Sequence, residues 1–164
     1  MNFEILAWIF AGAVTLHNIE EAILLPEWSR TAGRWHIAVG DTEFRFAVVT
    51  LTALAYACAW SAGSGGAIGA YAISGYALAM LLNVFIPHIA ATLILKRYAP
   101  GTATGLLLIL PVSTLLLRQA NVEQRIDLAI FLWTGPFTAL ALAASIPILF
   151  MIGRRLAAGQ AGDK

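Results

Sequence analysis

The chain has 164 residues, 60% of them hydrophobic and 12% charged, with a formal net charge of +1 and a mean hydropathy of +0.80. Soluble domains carry about 25% charged residues, so the polar surface is too small to cover a water-soluble globule, and lipid must be the solvent over most of the exterior. The ten Lys and Arg are scattered, without the basic stripe that nucleic-acid binding needs, and the single cysteine, Cys58, has no partner for an intramolecular disulfide.

The N-terminal MNFEILAW lacks the positive n-region of a signal peptide, so the first apolar run is read as mature structure. Phe3–Leu16 alone is short for a span, which needs about 20 apolar residues. To cross, the helix must continue through His17-Asn18-Ile19-Glu20-Glu21 and the apolar Ala22–Leu25, stopping near Pro26. The polar cluster is then forced below the membrane surface; the alternative is a short re-entrant segment with both acids in water. Residues 27–42 follow as an interfacial stretch in which Trp28, Trp35 and Ile37 interleave with Arg30, Arg34 and His36.

Fifty residues without Asp, Glu, Lys or Arg separate Arg45 from Lys96, divided by a turn-like SAGSGG at 61–66. They read as two spans, 44–60 and 67–95. Uncharged stretches at 98–117 and 128–153 give two more, and 154–164 reads as a short tail. The expectation is an all-α polytopic bundle of about five helices forming a single domain over 1–153. Eight Lys and Arg fall on the side of the C-terminus and two on the other, which predicts the N-terminus outside and the C-terminus in the cytoplasm of a bacterial inner membrane. Rows of small residues (Gly66, Ala70 and Ser74; Gly65 and Gly69; Ala53 and Ala57) suit close helix packing or association between copies of the chain.

The chemistry concentrates in two places. His17, Glu20 and Glu21 stand at i, i+3 and i+4, within a wedge of about 100° on one helix face. Each acid costs about 2.5–3.5 kcal/mol to insert near the bilayer centre, which calls for a partner or a function. On the third helix, Pro87 lacks the N–H that the Asn83 carbonyl would accept. The predicted bend brings Asn83 and His88 toward one cavity. Counted from the outer ends of their parallel helices, Glu20 and Asn83 fall at matching depths.

The sequence His17-Asn18-Ile19-Glu20-Glu21 resembles the motif that names the HXXEE family of small integral membrane proteins. Length, multiple spans and a later Asn and His, here Asn83 and His88, are similar too, over Phe3 to about Gly153. The resemblance implies a helical membrane protein with an enzymatic role suggested by its polar residues, and no particular reaction.

Two classes of function compete. In the first, an intramembrane enzyme acts on a hydrophobic small-molecule substrate. His17, Glu20, Glu21 and His88 bind zinc or iron with Asn83 orienting a ligand, or the carboxyls run metal-free acid–base catalysis with His88. His-x-x-Glu-Glu lacks the two His at i and i+4 of the helical zinc proteases. In the second, the cluster relays protons in a transporter or merely locks the helices of an accessory membrane protein.

Overall fold

Every long apolar run identified above becomes a helix in the computed structural model, which describes residues 1–33 and 38–162; no strand occurs among them. Five helices are long and apolar enough to cross a membrane: α1 (Phe3–Thr31), α2 (Asp41–Gly63), α3 (Ala67–Leu95), α4 (Thr102–Val122) and α5 (Leu128–Gly162).

The Asn2 carboxamide oxygen opens α1 by accepting the Ile5 N–H at 2.9 Å, satisfying one of the donors that a helix start leaves bare. From there α1 runs unbroken for 29 residues, about 43 Å at 1.5 Å per residue, so the HNIEE segment lies inside one continuous helix. The expected stop at Pro26 is corrected: Pro26 sits within the helix, which ends at Thr31. Proline removes one backbone bond. The Ser29 hydroxyl donates to the Pro26 carbonyl at 2.8 Å and accepts the Val39 N–H at 3.1 Å, tying the last turn of the helix to the chain that follows. The interfacial stretch placed at 27–42 therefore loses its first residues to α1 and its last to α2. Its Arg34, Trp35, His36 and Ile37 lie outside the described residues.

The third span departs most from a regular helix. It is interrupted at Val84–Ile89 by a π-helical turn in which Ile86 is extended (φ −132°, ψ 112°), the conformation that a following proline imposes on its neighbour. The fourth begins at Thr102 rather than at 98, because Gly101 at φ +87° turns the chain just before it. By contrast, α5 passes Pro136 and Pro147 without a break and continues to Gly162, through most of the expected tail.

Side chains from α1 to α4 build the main core: Phe3, Phe10 and Val14, with Ala55 and Ala59, Ile73 and Tyr76, and Ile109 and Leu116. Phe10 meets Tyr76 edge-on at 5.8 Å between ring centres. Among the small residues, Ala70 and Ser74 are buried as the rows implied. In α2, however, Ala53 and Ala57 face outward, and Ala55, Ala59 and Ala62 form the buried row. The outlier is α5, mostly exposed, lying along α2 and α3. A Cβ on Gly75 of α3 would stand 2.5 Å from the Thr138 side chain of α5, so that contact requires glycine.

Candidate metal centre

Two helices and one turn carry the site. His17, Glu20 and Glu21 come from the middle of α1, Asn83 and His88 flank the break in α3, and the turn that starts α4 closes over both. His17 is fully buried and His88 nearly so, with their rings edge-to-face at 5.1 Å. The break does what the proline predicted, since the Asn83 amide nitrogen reaches His88 Nε2 at 2.9 Å across a five-residue separation that a straight helix would point apart.

Glu20 and Glu21 part company. One Glu20 oxygen accepts the Tyr98 hydroxyl in a short hydrogen bond and the Gly101 N–H at 2.9 Å. The other accepts the Thr104 N–H at 3.2 Å and the Thr104 hydroxyl at 2.6 Å. These amides are the bare donors at the start of α4, where the helix dipole favours a negative charge. Glu20 is thereby an anion seated on a helix N-terminus, and both its oxygens are occupied. Burial, and next its bond to Glu20, holds the Tyr98 phenol above its usual range.

The hydrogens then fix the histidine. Thr104 has a single hydroxyl hydrogen, given to Glu20, so at 2.9 Å from His17 Nδ1 it acts as acceptor and Nδ1 carries the proton. That leaves a lone pair on His17 Nε2. This atom and His88 Nε2 face the same Asn83 amide nitrogen, at 3.5 Å and 2.9 Å, a group that only donates. Both imidazoles thus present lone pairs to one point. Glu21 Oε1 faces that point too, 3.8 Å from His17 Nε2 and 3.2 Å from His88 Nε2. Three acceptor atoms converging in a buried site repel one another unless a metal ion or a shared proton sits among them.

Among the described residues, His17, Glu21 and His88 form a group whose ligand atoms lie within 4.8 Å of one another. Tetrahedral zinc, at about 2.0–2.2 Å from N and O ligands, sets neighbouring ligand atoms about 3.3 Å apart. The 3.2 Å pair already meets this, the 3.8 Å pair needs to close by a few tenths, and the two imidazole nitrogens, within 4.8 Å of each other, would have to draw together around an ion. Two His and one carboxylate also suit non-haem iron. Glu20, placed with the ligands by sequence, stands behind them and reaches His17 through Thr104, as a metal site's supporting carboxylate does. Asn18 turns away, donating to the Thr52 hydroxyl at 2.7 Å and the Val48 carbonyl at 3.3 Å, and ties α1 to α2.

Three contributors escaped sequence reading: Tyr98, Gly101 and Thr104. Their signal was the Pro100-Gly101 turn followed by threonines, a helix start hidden inside an uncharged run read as one span. Gly101 is required sterically: a Cβ there would lie 2.5 Å from His88 Cε1 and 2.9 Å from His17 Cε1.

Beside the cluster opens a cavity of about 540 Å³ between α2, α3 and α5, with Glu21, Asn83 and His88 in its wall and a lining otherwise almost wholly apolar.

Residues 8–116 match the family described as protein of unknown function with HXXEE motif. The chain belongs to the HXXEE family. It is similar to the uncharacterized protein YrkK of Bacillus subtilis (strain 168), 38% identical over 149 residues that cover 90% of this chain and 94% of that protein. No solved structure gives a significant match. The matched region contains the whole polar cluster, from His17 to Thr104.

Proposed function

We propose that this HXXEE protein is a metal-dependent enzyme embedded in the bacterial inner membrane, acting on a lipid-soluble small molecule. The carrying observation is the convergence of three lone-pair atoms, from His17, Glu21 and His88, at the head of an apolar cavity. In this reading the three residues hold one zinc or iron ion, which supplies Lewis-acid polarisation of a substrate oxygen. With the imidazole lone pairs engaged in this way, the Asn83 amide that now faces them would be free to hydrogen-bond the substrate. Glu20, through Thr104, keeps the His17 proton on Nδ1 and its Nε2 available. Glu21 adjoins the cavity and is the group placed to exchange a proton with substrate. The Lys and Arg bias orients the C-terminus toward the cytoplasm and sets the site in the cytoplasmic half of the bilayer. A proton carrier would need polar groups distributed along a path, whereas here they gather at one level.

The test is elemental analysis of protein purified from metal-replete cells. The wild type carries about one zinc or iron per chain, and His17→Ala, Glu21→Gln and His88→Ala each lose it while still eluting as folded protein. A metal-free wild type that also fails to take up added zinc or iron overturns the reading.

A further inference from the structure

Two features of the cavity bear on what enters it. Its rim includes Ile86 at the α3 break and Leu140 of α5, both strongly exposed on the side that faces lipid, so access is lateral, from the bilayer. Its lining among the described residues contains no Lys or Arg, and Glu21 is its one ionisable carboxylate. A divalent ion at the cluster is balanced by the two charges of Glu20 and Glu21. No surplus positive charge is left for a phosphate or a sulfate.

A second apolar cavity, of about 300 Å³, lies against the first. It is lined by residues of α2, α3 and α5, among them Leu54, Cys58 and Thr138, and it shares Tyr76 and Leu142 with the first. Those two side chains are the partition. Tyr76 is fixed: its ring packs on Phe10 and its hydroxyl donates to the Leu51 carbonyl at 3.0 Å. Leu142 is only half-buried and packs from α5 against the edge of the main core, with no hydrogen bond to hold it. The yielding half of the wall is therefore Leu142.

Resting on the site proposed above, we infer that the substrate is a single-chain lipid with an uncharged oxygen head, and that Leu142 against Tyr76 sets the chain length it accepts. The head lies at Glu21, Asn83 and His88, and the chain runs along α5 toward Tyr76. At about 30 Å³ per heavy atom, 540 Å³ accommodates roughly 18 heavy atoms, and the second cavity roughly ten more. Leu142→Ala joins the two; Leu142→Phe thickens the wall.

The experiment measures binding of saturated primary alcohols from twelve to twenty-four carbons to the purified full chain in detergent, by native mass spectrometry. Metal content is determined on the same preparations. The wild type is expected to favour chains near sixteen carbons over those near nineteen by roughly tenfold, the equivalent of about two methylenes without room. Leu142→Ala is expected to abolish that preference or reverse it, and Leu142→Phe to shift it toward shorter chains. Hexadecanol should outcompete hexadecyl phosphate. A length profile unchanged in both variants, or tighter binding of the phosphate, overturns the inference. Metal-free protein that still shows the Leu142-dependent shift supports it while removing the metal from the proposed function. Metal-loaded protein with an unchanged profile does the reverse.

Discussion

Glu20 and Glu21 are chemically identical neighbours on α1, yet each serves a different side of the bundle. Toward α4, Glu20 is saturated by two amides and two hydroxyls. Toward α3 and α5, Glu21 meets two imidazole lone pairs and borders a cavity of about 540 Å³. The comparison shows how one turn of helix can seat one carboxyl among donors and leave its neighbour facing imidazoles and open space. What separates them is the supply of donors, ample at the start of α4 and reduced to one shared amide at the α3 break.

Substituting the two acids in turn is the sharpest way to break this contrast. Glu20→Gln in either orientation points its NH₂ at a backbone N–H that cannot accept it and is expected to destabilise the fold by about 3 kcal/mol, the order of a lost charged hydrogen-bond set, read as a lower unfolding midpoint in detergent. Glu21→Gln is expected to leave that midpoint nearly unchanged in metal-free protein while abolishing metal uptake. Equal effects of the two on both readouts would erase the distinction.

The sequence carried one side of this contrast better than the other. Five helices, the place of HNIEE inside the first of them and the meeting of Asn83 with His88 follow from apolar run lengths, from the cost of charge in lipid and from Pro87. The division of labour between the acids does not, because it depends on which helix start comes to rest beside Glu20. That start, at Gly101 and Thr104, is more than eighty residues away and has no charge or periodicity of its own. The path of α1 beyond Pro26 was missed for a related reason: its last turn is tied down by the Ser29 hydroxyl through a contact with Val39, ten residues on.

Next in expected size is Gly101→Ala. The added methyl would press on both imidazoles, and the residue would have to keep a left-handed backbone at φ +87°, itself a cost of about 1–2 kcal/mol. Metal content and unfolding midpoint should therefore fall together, unlike in either acid variant. Thr104→Val tests the link between the two sides alone. Breaking the Glu20–Thr104–His17 relay is expected to weaken metal affinity by about 10–100-fold, measured by competition with a chelator, and Thr104→Ser should restore it.

The smallest effect is expected far from the cluster, at the other end of α1. Glu123 accepts the Phe3 N–H at 2.9 Å and the Gln119 amide at 2.8 Å. Its bond to Gln119, ahead of those to Phe3 and the nearby charges, holds its carboxyl below the ordinary 4.5. That contribution is present above pH 4.5 and fades as acid titrates the folded protein through the lowered value. Glu123→Gln should flatten the acid limb of a midpoint-against-pH curve slightly and leave metal content untouched.

The seating of Glu20 on the first turn of α4 also orders events at the ribosome. When α1 enters the membrane its carboxylate has none of the donors that later surround it, because Tyr98, Gly101 and Thr104 are not yet made. A nascent chain halted after Leu95 therefore lacks every donor that quenches the Glu20 charge in the finished molecule.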